Sequence, residues 1–199
     1  GNLKGVINYC NILQNENDSE LIKYIQIAAD EGNPDCMFNY AIMLYEGHVV
    51  SRNIDESLKY FKKAADEGNP SAAHNVLILI EDHTKEYLHY AKLGSDKGDS
   101  MCMYAYGQIL IETNEEEDDD ENEERKSKGA NLIKLSAEKG FVDGEYQYGM
   151  MLIKGTLFEA DFESGIEWLK KAADEGHAQA ALDYANILNR NDGDRQTYL

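Results

Sequence analysis

Five histidines (His48, His74, His83, His89 and His177) and three cysteines (Cys10, Cys36 and Cys102) are the side chains best suited to bind a metal or attack a substrate. None stands in an HExxH, CxxC or paired Cys/His spacing, which a zinc site needs if its ligands are to converge. Met101-Cys102-Met103 groups three soft donors. Successive helical positions point in different directions, however, so the triplet reads as core packing. No GxGxxG, Walker or GxSxG motif occurs, nor a D-x-D-x-D-G run for calcium. The expectation is a chain that is not an enzyme and carries no metal and no cofactor.

A different chemistry recurs at fixed offsets. Glycines at 32, 68, 98, 140 and 176 punctuate the chain at steps of 36, 30, 42 and 36 residues. Seven residues after each of these glycines, and at the same place in a first copy that has a shorter loop, stand Asn8, Asn39, Asn75, Ala105, Gln147 and Asp183. Ten after stand Asn11, Ile42, Ile78, Gln108, Met150 and Asn186. A carboxamide both donates and accepts hydrogen bonds, so a ladder of them suits the backbone of an extended peptide. Ile42, Ile78, Met150 and Tyr45 would add apolar contacts for its side chains. The plainer reading is that these amides satisfy neighbouring backbone groups.

The elements carrying these residues repeat. Ala28-Ala29-Asp30-Glu31-Gly32 returns at 64–68 and at 172–176, with degraded copies ending at Gly98 and Gly140. A period of this length marks stacked supersecondary units, each touching mainly its neighbours. After each glycine, positions +4, +8, +9 and +12 are small or apolar, as in Cys36, Tyr40, Ala41 and Leu44, or Gly144, Tyr148, Gly149 and Leu152. That spacing is one face of an α-helix, termed helix A. Before each glycine, position −8 holds Tyr24, Tyr60, Tyr90, Leu132 or Trp168, and position −7 holds Ile25, Phe61, Ala91, Ile133 or Leu169. Positions −4 and −3 are small, which defines a helix B packed closely on helix A. The aromatic −8 residues are expected in the core. Gly47 and Gly155 should end helix A, and Asn53 and Asp161 should cap helix B. In Gly32-Asn33-Pro34 and Gly68-Asn69-Pro70, asparagine is the expected N-cap and proline the first helical residue.

This pattern resembles the Sel1-like repeat, a relative of the tetratricopeptide repeat. Residues 141–176 match best, through Gly155, Asp161, Trp168, Lys171, Ala172, Ala173 and Gly176, and residues 33–68 nearly as well. The resemblance implies an all-α, α/α solenoid, a right-handed superhelix of about five helix-turn-helix repeats plus one extra helix. The repeats run 1–32, 33–68, 69–98, 99–140 and 141–176, with a half repeat at 177–199, in a single array 1–199. Departures are a missing A–B loop in the third unit and Leu132 in place of the aromatic in the fourth. The resemblance also implies a concave surface lined by helices A and a scaffold or adaptor that binds protein or peptide segments there.

Net charge is −19. Such a chain disfavours nucleic acid bound through a basic face, and anionic membranes. No 18-residue apolar run exists. Residues 112–124 hold ten acids and no base, leaving 28 acids against 19 bases elsewhere. This acidic insert reads first as a solvated, disordered loop, with an extended helix B or a dock for a basic partner as alternatives. Three cysteines without pairing spacing point to reduced thiols and a cytoplasmic protein. The start, Gly1-Asn2-Leu3-Lys4, shows no secretory pattern, and the missing methionine points to a fragment whose leader would lie outside it.

Two other roles follow from the resemblance. Secreted bacterial members that bind β-lactams use regular cysteine pairs between helices A and B, whereas all three cysteines here lie on helix A. An endoplasmic-reticulum adaptor of protein quality control would carry a glycan at Asn17, but Asn17-Asp18-Ser19 equally caps the first helix B. Thr197-Tyr198-Leu199 matches a PDZ-ligand ending too briefly to carry weight. The last helix A has no helix B after it, so its apolar face is a candidate for self-association.

Overall fold

The computed structural model describes residues 19–81, 84–113 and 119–196, with side chains through 189. Among them the regular elements are ten α-helices. They are α1 (Ser19–Asp30), α2 (Pro34–Glu46), α3 (Ile54–Asp66), α4 (Ala72–Leu79) and α5 (Lys85–Asp96). Then follow α6 (Ser100–Glu112), α7 (Asp119–Glu138), α8 (Val142–Lys154), α9 (Phe162–Asp174) and α10 (Ala178–Gln196). The fold is an all-α solenoid of helical hairpins. The chain divides into two compact units, Gly1–Cys102 and Met103–Leu199, so that α6 begins in the first and continues in the second.

In the first unit α1 packs on α2, α2 on α3, α3 on α4 and α4 on α5. The periodic face explains this order. Cys36, Tyr40, Ala41 and Leu44 of α2 are buried, as are Ala72, Val76 and Leu77 of α4. The −7 residues Ile25, Phe61 and Ala91 are at most 2% exposed, which makes them the fixed anchors of every helix B. Small residues at −4 and −3 are required by the packing. A Cβ at Gly94 would fall inside contact distance of the Cys102 sulfur.

In the second unit α7 packs on α8, α8 on α9 and α9 on α10. Ala130, Ile133 and Ala137 of α7 meet Tyr148, Met151 and Leu152 of α8, with Trp168 and Phe158 at the edge. Leu169 and Ala172 of α9 meet Ala180 of α10.

The repeat glycines end each helix B with a Schellman turn. Gly32 lies at φ 98° and Gly176 at φ 96°, in the left-handed region where a side chain is strained. The turn recovers two carbonyls: Gly32 N–H donates to Ala29 O (3.1 Å) and Asn33 N–H to Ala28 O (3.0 Å). Gly47 and Gly155 end helix A at φ 75° and 65°. Asn53 and Asp161 cap helix B through Glu56 N–H and Ser164 N–H, each at 3.1 Å. These match the expectations from composition and spacing.

Three expectations need correction. Asn33 caps α2 through Cys36 N–H (2.9 Å), and Pro34 opens that helix. The second copy behaves otherwise. Asn69 turns its amide to Asp35 (2.9 Å) and accepts from Ser71 N–H (3.1 Å), and α4 starts at Ala72 rather than Pro70. Tyr24 is 47% exposed, so it is not a core residue, unlike Tyr60 and Tyr90. Those two are buried with an outlet for the hydroxyl: Tyr60 donates to Asp30 (2.5 Å) and Tyr90 to Asp66 (3.4 Å). Burial, then these aspartates, push both phenols upward. Next, the acidic residues 119–124 are not a loop but, as the alternative had it, an extension of helix B: they form the first turns of α7, where carboxylates complement the helix dipole, while 114–118 lie outside the described residues. Leu188 of α10 is 47% exposed and Ala185 is exposed, as expected of a last helix A that no helix B covers among the described residues.

His74 and Asp99 form an ion pair at 3.3 Å that joins α4 to the start of α6 within the first unit. The hydrogen bond to Asp99 raises His74 above its ordinary 6.5, against the opposing effect of burial. Burial works to raise Asp99, but His74 and the Cys102 N–H hold it below 3.8. A raised histidine contributes stability that is complete below 6.5 and fades as pH climbs through the folded value. The lowered aspartate contributes above 3.8 and fades in acid below that. The urea midpoint should therefore fall between about pH 6 and about pH 8 in the native chain, and stay flatter in His74→Gln. Parallel profiles for the two chains would contradict this.

Candidate functional groove

The residues selected by their offsets do not all share one environment. Asn8 and Asn11 lie outside the described residues. Asn39 and Ile42 are half-buried on α2, and Tyr45 is 36% exposed beneath the Arg52 guanidinium. Asn75 donates to the O of Ser71, the residue before its helix (3.0 Å), and Gln108 donates to the Tyr104 hydroxyl (2.9 Å). Asn75 thus spends a donor on a neighbouring backbone carbonyl, as in the plainer reading, whereas Gln108 spends one on a side chain of its own helix. Ile78 is 53% exposed, and Gln147 is half-buried on α8.

In the second unit three of the selected residues come together. Met150 on α8 and Asp183 and Asn186 on α10 line one groove with Ile153 and Ile187, which offset reasoning passed over. Its volume is about 230 Å³. Met150 and Ile153 are three apart on α8; Asp183, Asn186 and Ile187 follow the i, i+3, i+4 spacing on α10. Each set is one helical stripe, so two parallel walls result.

Polar contacts at the N-terminal ends hold the walls in register. His177 precedes α10 and accepts the Ala180 N–H on Nδ1 (3.0 Å). That leaves the proton on Nε2, which faces Asp143 Oδ1 at 3.3 Å. The imidazole stacks on the Tyr146 ring at 4.4 Å and 22°. Tyr146 donates to Asp183 Oδ2 (3.1 Å), and Gln179 donates to Oδ1 (3.2 Å). Burial, then the Asp183 bond and charge, raise the Tyr146 phenol, so it stays a donor. Asp183 is thus a carboxylate aimed by two donors beside apolar walls. Its offset was legible in the sequence; Tyr146 and His177 as its supports were not, because they come from two helices.

Among the described residues no three His, Cys, Asp or Glu side chains converge as a metal site. Among them no helix is long and apolar enough to cross a membrane.

Helical hairpins closed by left-handed glycines, with small residues where helix A meets helix B, define an α/α repeat protein. Two of these repeats match the Sel1 repeat family, at residues 34–69 and 142–177. A search of curated proteins finds no match. Among solved structures, the chain is similar to a Sel1 repeat protein from Oxalobacter formigenes, with 26% identity and a TM-score of 0.63 over 81% of this chain and 66% of that one. It shares its fold with a protective antigen of uropathogenic Escherichia coli that displays an SLR fold, at 19% identity and TM-score 0.69 over 85% of this chain and 36% of the other. The chain thus spans just under two thirds of the first and about a third of the second. Sel1-repeat proteins generally act as protein-interaction scaffolds.

Proposed function

We propose that this chain is a non-enzymatic scaffold that binds protein segments on its helix A faces, through Ile42 and Ile78 in the first unit and through Met150 and Asn186 in the second. The observation that carries the reading is the groove where Met150, Asp183 and Asn186 converge between two consecutive helices A. A surface built on rigid helices offers preformed contacts, so a partner segment meets little cost of reorganisation on the scaffold side. Cys36 and Cys102 are fully buried on helix A faces, which favours a role in a reducing compartment over a disulfide-framed secreted one.

The test is site-specific photocrosslinking in material from the native source. A photoreactive residue at Ile78 or Asn186 should trap partner protein, whereas one at Lys59 or Lys170 on helices B should not. Adducts confined to the helix B positions would refute the proposal.

A further inference from the structure

We infer that the groove between α8 and α10 receives the side chain of an arginine, carried by a partner segment with apolar residues beside it. The inference rests on the scaffold reading and names the chemistry of its partner. Size comes first. Small-molecule sites occupy about 300–1,000 Å³, and this groove holds about 230 Å³. It suits one long side chain rather than a free ligand.

Lining chemistry narrows the choice. Met150, Ile153 and Ile187 form apolar walls, which suit a methylene stem. Asp183 stands among them with each oxygen already accepting one donor, Tyr146 or Gln179. Each carboxylate oxygen accepts two hydrogen bonds, so one acceptor site per oxygen remains. An aliphatic side chain entering here would strip water from Asp183 and replace it with nothing, which is unfavourable. An acidic one would meet like charge, both from Asp183 and from a chain of net charge −19. A cation on a flexible stem satisfies walls and carboxylate together. Arginine fits better than lysine because its planar fork presents several donors. Asn186, one turn beyond Asp183, adds a carbonyl acceptor to the same rim.

The carboxylate is also prepared in advance. The His177 stack and the Asp143 contact fix Tyr146, and Tyr146 fixes Asp183. A preset acceptor loses little freedom on binding.

The experiment is a positional-scan array of blocked decapeptides probed with the full chain and with Asp183→Asn. The isosteric amide keeps an oxygen for the Tyr146 donor, and circular dichroism checks the fold. The expected result is enrichment of arginine flanked by apolar residues, lost in Asp183→Asn. In solution, anisotropy of the best peptide should weaken on the order of tenfold in the variant, and the native affinity should fall with salt. Peptides bound without preference for a basic residue, or a preference that survives Asp183→Asn, would overturn the inference and leave the scaffold reading standing. A chain that binds no peptide on the array would overturn both.

Discussion

Gly149→Val is expected to destabilise the chain by about 3 kcal/mol, which for about 200 residues lowers the thermal midpoint by roughly 6–12 °C. The reason is a backbone contact. Position +9 of helix A and position −11 of helix B touch directly in each well-formed hairpin. In one hairpin they are Ala41 and Ser57, with the Ser57 hydroxyl donating to Ala41 O at 2.7 Å. In the second unit they are the glycine pairs Gly107 with Gly129 and Gly149 with Gly165. A Cβ on Gly149 would lie 2.9 Å from the Gly165 carbonyl oxygen and 3.2 Å from the Leu169 nitrogen. Those atoms are helix backbone and cannot swing aside. Helix propensity argues the other way, since alanine in place of glycine favours a helix by about 1 kcal/mol. Gly149→Ala therefore separates the two effects: the contact predicts a lower midpoint, propensity a higher one. Melting followed by far-ultraviolet circular dichroism decides it, and a more stable Gly149→Ala would show that α8 and α9 are not in such close contact.

Lys171→Met is expected to cost about 2–3 kcal/mol by stranding a buried charge. Glu145 is fully buried between helices of the second unit, yet neither carboxylate oxygen makes a well-directed hydrogen bond. Its compensation is the Lys171 ammonium at 2.7 Å from Oε1. That ammonium also sits 5.0 Å from the centre of the Trp168 ring. The Lys171 side chain is 46% exposed, so water moderates the pair and the cost falls below that of a fully buried pair. The corresponding +5 residue in α2 is Met37, 6% exposed. The fold thus already accepts methionine there. Glu145→Met should lie within about 1 kcal/mol of the native chain, and it should rescue Lys171→Met in the double variant. Urea unfolding of the four chains closes the cycle. A Lys171→Met chain as stable as the native one would mean that Glu145 is held by something other than this pair.

The regular part of this architecture was legible because it depends on local spacing. Cys36, Tyr40, Ala41 and Leu44 are buried because they share a stripe of one helix. Gly32, Gly47, Asn53 and Asp161 act within a few residues of their own position, so residue type alone indicated turn and cap. Where a neighbouring helix decides the outcome, spacing misled. Asn69 has the same local setting as Asn33, but its amide is drawn to Asp35, and the helix starts later. Tyr24 has the same offset as Tyr60 but stays exposed.

The groove belongs to the second class. Repeat offsets placed Met150, Asp183 and Asn186 on helix A faces, and the spacing of 36 residues between glycines put their helices in consecutive repeats. Only tertiary packing set the gap between α8 and α10, supplied Ile153 and Ile187 as walls, and made Tyr146 and His177 the supports of Asp183. A helix period states which side chains share a face. The distance and contacts between two faces depend on the small residues beneath them and on hydrogen bonds that cross from one helix to the next.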